Sequence, residues 1–244
     1  IQRIYADPGE RYVGDCDLLV KPEDVELARV VLNGLGYATP SAYVDPVKKG
    51  SDPFVCLRSF AFTKRSGVGF YVHLHWHLIN SVLPLFMIMV GMDDVWRQSI
   101  VEEGSERSFR VLAPHHEVVF LSLHAFKHSY NKMSLFTDIA KTIEYYADRL
   151  DWERVLLCAH EWKVMTPLYY SLSLTSVVAK IRIPDEVLKE SMPEKKTNLI
   201  DTVLRRVRDG HLRTENIVFW IWLDMVKGFV PKLRFIFFSL FRNK

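Results

Sequence analysis

Apolar and polar residues alternate at two places in the first third of the chain, whereas further on apolar residues return every three or four positions. The first alternation is "GDCDLLV", residues 14–20, in which a strand would put Asp15 and Asp17 on one face and Cys16, Leu18 and Val20 on the other. The next stretch, "KPEDVELARVVLNGLGY", has Pro22 and acids in its first turn, Val25, Ala28, Val31, Leu32 and Leu35 at helical spacing, and Gly34 and Gly36 at its end. It reads as a helix following the strand. A connection rich in Pro and Asp, residues 39–53, leads to "FVCLRSFAF", a turn at "KRSG" and "VGFYVHLHWHL", the pattern of a β-hairpin. From Pro84 the period is helical over about 85–104, 114–130, 133–149, 151–163, 166–180, 184–191, 195–209 and 214–241. The expected fold class is α+β: a mixed sheet with flanking helices over residues 1–82, then a mainly helical domain over 83–244.

Composition narrows the class. The 244 residues are 49% hydrophobic, enough for a sizeable core in one or two domains. A formal charge of +3, without long runs of one sign, gives no indication of nucleic-acid binding. Cys16, Cys56 and Cys158 form no CxxC pair and read as buried thiols of a reducing cytoplasm. The first residues show neither the basic nor the apolar part of a signal peptide. The most apolar segment, residues 216–241, is broken by Asp224, Lys227, Pro231, Lys232 and Arg234, so it is too interrupted to span a bilayer. Its expected role is a core-packing helix pair jointed at Pro231, with contact of the basic, aromatic tail with a membrane surface as the alternative.

Candidate chemistry sits on the two alternating runs. Asp15 and Asp17 would stand side by side, close enough to converge on a divalent ion. In "VHLHWHLIN", His73, His75 and His77 would share a strand face, but the outer pair lies about 13 Å apart by strand rise, too far for all three to hold one tetrahedral ion. His73 is expected to face the acids, with His75 and His77 bonded to helices of the second region. In "LHAFKH", His124, Lys127 and His128 fall on one helix face, and Asp138 in the next helix is expected to pair with it. His115, His116, His160 and His211 read as solvated or capping residues, and no Gly-flanked nucleophile turn supports hydrolase chemistry.

These segments in this order, "YADPGERYVGDCDLLVKPEDVELARVVLNGLGY", "VHLHWHLIN", "APHHEVVFLSLHAFKHSYNKMSLFTDIAKTI" and "DWERVLLCAHEW", resemble the uncharacterised nucleotidyltransferase family of the polymerase-beta-like superfamily. The resemblance covers most of the chain. It implies that a Gly-Ser or Gly-Ala turn holds the triphosphate, that Asp15 and Asp17 bind Mg2+, and that a third acid precedes the "LHW" element. Nucleotidyl transfer develops charge on the phosphoryl, attacking and leaving oxygens, which carboxylate-held Mg2+ can neutralise and align. Arg11 and Lys127 are the cations assigned to phosphates, and His124, His128 and Asp138 complete the candidate nucleotide-binding set.

The chain departs from the family pattern at two points. Gly9 and Gly14 are the only glycines before Asp15, so the phosphate turn is expected upstream of Ile1 or is absent. His73 stands where the third acid is implied, a third metal-ligand candidate that favours Mn2+ over Mg2+. The expectation is a cytoplasmic, metal-dependent nucleotidyltransferase that transfers a nucleoside monophosphate from an NTP, ATP by default, to a hydroxyl of a small molecule, sugar or protein. The rival is a catalytically degenerate nucleotide- or partner-binding module on the same fold.

Overall fold

The computed structural model describes residues 4–5, 7–11, 13–39, 59–64, 71–79, 88–103, 108–195, 197–210, 215–226, 228, 232–233 and 236. The chain forms two compact units, one of Tyr12–Phe86 and one joining Ile1–Arg11 to Met87–Lys244.

Among its described residues the smaller unit holds a four-stranded mixed sheet and one α-helix. Strand β1 (Asp15–Leu19) is followed by a 3-10 turn at Pro22–Asp24 and helix α1 (Val25–Gly34). A short strand β2 (Tyr37–Ala38), which the sequence pattern did not signal, precedes β3 (Ser59–Lys64) and β4 (Tyr71–His75). The order is β1-β4-β3-β2, with β1 parallel to β4 and the other pairs antiparallel. Alternation gives the sheet two unlike faces. On one, Phe60, Phe62, Val72 and Leu74 are buried with Val25 and Leu32 of α1. Arg29 of the same helix lays its guanidinium over Phe60, 4.6 Å from the ring centre. Val31 and Leu35, expected to face this core, are 53% and 62% exposed, because the buried stripe runs through Val25, Ala28 and Leu32 instead. Cys16 is also exposed, not buried as expected, since β1 lies at the edge of the described sheet.

The described residues of the larger unit are mainly helical, with one hairpin. Its helices are α2 (Met92–Gln98), α3 (Pro114–Lys127), α4 (Ser134–Tyr146), α5 (Trp152–Glu161), α6 (Met165–Val178), α7 (Asp185–Ser191), α8 (Leu199–Arg208) and α9 (Glu215–Met225). The helix expected over 85–104 is only α2, and strand β5 (Ile100–Glu103) pairs antiparallel with β6 (Ser108–Val111) where helix and connection were expected. "IVEE" and "SFRV" carry β-branched and aromatic residues, which a pleated surface accommodates better than a helix does. Helices α3 and α5 each end in a Schellman motif: Tyr130 N donates to Ala125 O with Ser129 at φ 54°, and Val164 N donates to Ala159 O with Lys163 at φ 60°. The hydroxyl of fully buried Tyr130 meets Ser171 Oγ at 3.0 Å, and Ser171 donates to Ser122 O. Trp222 of α9 packs edge-on against Phe126 of α3, ring centres 4.9 Å apart, the core packing expected for this segment. Among the described residues no helix is long and apolar enough to cross a membrane. Pro231, Cys56, His211 and most of the C-terminal tail lie outside the described residues.

Candidate functional site

The open face of the small sheet carries the polar residues that the core face excludes. Parallel register sets Asp15 beside Tyr71, Asp17 beside His73 and Leu19 beside His75, so the paired acids and two of the three histidines share that face. The neighbouring β3 positions there are small: Ala61 pairs with His73 and Ser59 with His75. The His73 Nδ1 lies between the two acids, 3.8 Å from Asp15 Oδ2 and 3.5 Å from Asp17 Oδ1. His75 corrects the expectation that it bonds to helices, for its Nε2 is 2.9 Å from Asp17 Oδ1. Its Nδ1 is buried with no hydrogen-bond partner among the described residues. His77 leaves the sheet, because β4 ends at His75 and His77 Nδ1 accepts the Ile79 N–H at 3.0 Å. A local side-chain bond there replaces the strand ladder.

One ligand atom from each of Asp17, His73 and His75 lies within 4.8 Å of the others, close enough that the three could hold a metal ion. Asp15 and Asp17 remain substantially solvent-accessible, with side chains 52% and 61% exposed, while His75 is 18% exposed and forms the floor.

The residues assigned to the nucleotide lie in the helical unit. Asp138 of α4, expected to pair with the histidines of α3, instead accepts two hydrogen bonds from Arg11, from Nε and Nη2 at 2.9 Å each, and one from the Tyr5 hydroxyl at 2.7 Å. Its carboxylate thereby fastens the N-terminal segment to α4. The Tyr5 hydroxyl is pushed to a higher pKa, first by burial and then by this bond, and the Arg11 guanidinium is held more firmly protonated by Asp138. Lys127 at the end of α3 is exposed, and the rings of His124 and of His128 just after the helix lie tilted with centres 4.4 Å apart.

A second polar cluster escaped the sequence reading. His115 and His116, expected to be solvated or capping, are 6% and 1% exposed. His116 Nε2 lies 3.4 Å from Asp94 Oδ2, and its ring stacks on Trp162 at 5.5 Å. Asp94 also accepts from Gln98 and Arg97. Burial pushes His115 down to about 4, helped by its neighbour His116, and lowers His116 too. The Gln98 hydrogen bond leads the groups that hold the Asp94 carboxyl below its usual range. The signal was present in the sequence: His115 and His116 precede Val118 and Val119 by three positions, so they lie on the buried stripe of α3.

No curated protein matches the chain. No solved structure matches it either. A family model described as "uncharacterised nucleotidyltransferase" matches residues 1–179, nearly three quarters of the chain, and covers the acid-bearing strand and helices α1 to α6. The chain thus belongs to this nucleotidyltransferase family.

Proposed function

We propose that the protein is a metal-dependent nucleotidyltransferase that moves a nucleoside monophosphate from an NTP, with ATP the default, to a hydroxyl of a small molecule, sugar or protein. The observation that carries this reading is the open sheet face on which Asp15 and Asp17 stand beside His73. Two carboxylates and an adjacent imidazole nitrogen fit a divalent cation in charge and donor type. Asp15, Asp17 and His73 would hold it, and when bound it would neutralise charge on the phosphoryl oxygens and the departing pyrophosphate.

The chain's own residues have separate tasks. Asp17, through the carboxylate oxygen not engaged with the ion, takes the acceptor hydroxyl's proton. The acceptor oxygen then forms its bond to the α-phosphorus as the bond to pyrophosphate breaks, so the products are the nucleotidylated acceptor and pyrophosphate. Lys127, His124 and His128 remain nucleotide-binding candidates by side-chain chemistry alone, and Asp138 holds Arg11 in a defined rotamer.

A second reading, a nucleotide- or partner-binding module without turnover, is favoured by imidazoles standing beside the acid pair where the family pattern implies a further carboxylate. Calorimetric titration of ATP with Mg2+ and then Mn2+, comparing the wild type with the Asp15→Asn/Asp17→Asn double variant, tests the nucleotide site. Metal-dependent binding that vanishes in the double variant is expected. Equal binding in both proteins, or binding in neither, would remove the site. Release of pyrophosphate in the presence of candidate acceptors then separates the enzyme from the binding module.

A further inference from the structure

We propose that Asp17, His73 and His75 form a transition-metal site with both imidazoles as ligands, so that the open face selects Mn2+, Co2+ or Zn2+ over Mg2+. This rests on the reading that the face is where the cation is held, and adds the identity of the ion and a ligand, His75, that the acid pair alone does not suggest.

The spacing carries the argument. Ligands at ~2.1 Å from one ion stand about 3.0 Å apart at a right angle and about 3.4 Å apart in a tetrahedron. Asp17 Oδ1 lies 2.9 Å from His75 Nε2 and 3.5 Å from His73 Nδ1, so both pairs already have the separation of neighbours in one coordination shell. The third pair, His73 and His75, also lies within 4.8 Å. A ring drawn to a carboxylate alone has no need of a second ring beside it. Here His73 and His75 stand with centres 6.1 Å apart on consecutive same-face positions, both turned to the same aspartate.

The donor set then decides the ion. Mg2+ is hard, takes oxygen ligands and keeps much of its water, so two nitrogens among three protein ligands match it poorly. Imidazole nitrogen suits Mn2+, Co2+ and Zn2+, with affinity rising across that part of the divalent series. Asp15, with its Oδ2 3.8 Å from His73 Nδ1, supplies a second carboxylate at the rim. The side chains that β3 places beside the two histidines, Ser59 and Ala61, are small.

The test uses the full chain and the metal salts alone. Calorimetric titration with Mg2+, Mn2+ and Zn2+ is expected to give Mn2+ and Zn2+ at least ~10-fold tighter than Mg2+. His73→Asn and His75→Asn are each expected to weaken Mn2+ at least ~10-fold and Mg2+ by less, so that the preference between the two ions narrows. Electron spin-echo envelope modulation of bound Mn2+ in the wild type is expected to show nitrogen coupling, a readout that needs no variant to fold. Equal Mg2+ and Mn2+ affinities, or Mn2+ bound without nitrogen coupling, would overturn the proposal. Such a result with metal-dependent ATP binding intact would leave the nucleotidyltransferase reading standing. Selective Mn2+ binding without ATP binding would do the reverse.

Discussion

Arg11 and Asp138 meet through two parallel hydrogen bonds, Nε to Oδ1 and Nη2 to Oδ2, both 2.9 Å long, across 127 positions of sequence. Side-chain exposures of 23% and 11% put the pair largely out of water. Asp138→Asn leaves the guanidinium facing an amide without its counter-charge and removes the acceptor of the Tyr5 hydroxyl bond. We expect a loss of about 3 kcal/mol, read as a lower urea midpoint with an unchanged slope. An unchanged midpoint would show that the N-terminal segment contributes nothing to the helical unit.

The His115–His116 cluster makes stability depend on pH. In the unfolded chain these histidines take up protons near 6.5, whereas in the folded protein burial holds His115 neutral down to about 4. Between those values the unfolded state binds more protons, so the stability contribution is complete above about pH 6.5 and is lost as pH falls toward 4. His116, also lowered, acts in the same direction. About 2 kcal/mol is expected to disappear over this window, after allowing for solvent screening. Thermal melts at pH 7 and pH 4.5 measure it, and His115→Phe should flatten the difference.

Leu74 is fully buried between the sheet and α1, so Leu74→Ala should cost about 3 kcal/mol. Val31→Lys on the outer side of the same helix, where the native side chain is 53% exposed, should change stability by less than about 0.5 kcal/mol. Denaturant unfolding monitored by tryptophan fluorescence compares the two.

Lys163 occupies the left-handed position of the Schellman motif after α5, at φ 60°, and is exposed. Lys163→Gly should raise stability by about 0.5–1 kcal/mol, since glycine adopts that conformation without the steric cost of a Cβ. A lower melting temperature would mean that the lysine side chain stabilises the turn by more than the strain.

Much of this was legible in the chain. The acid strand, the helix after it, the hairpin, and helices α3 to α8 follow from alternation, helical spacing and Pro or acid starts. What failed did so for identifiable reasons. At 100–111 apolar residues are too sparse to separate a short hairpin from a helix end, so β5 and β6 were missed. Of the helix positions at apolar spacing, the sequence could not say which side of α1 the sheet would cover, so Val31 and Leu35 were placed inward. For the site, alternation put Asp17 and His75 on the polar sides of two strands, but not in one sheet in parallel register. That pairing spans a helix and a hairpin, and no local pattern encodes it. The Asp138 partner was missed for the same reason: Arg11 and Tyr5 are more than 120 residues away.

The parallel docking of β1 against β4 also bears on the order of assembly. The β3–β4 hairpin joins near neighbours, but the Asp17–His75 contact closes a span of 58 residues, and such distant contacts form late because loop-closure entropy opposes them. Until β1 docks, the carboxylates and the imidazoles belong to separate stretches of chain. Any ion that needs both is therefore a ligand of the folded state alone, and it favours that state by mass action as its concentration rises. The cation would then act as a clasp on the outermost described strand, and its removal would first be felt as fraying of β1, ahead of any loss of the core beneath α1.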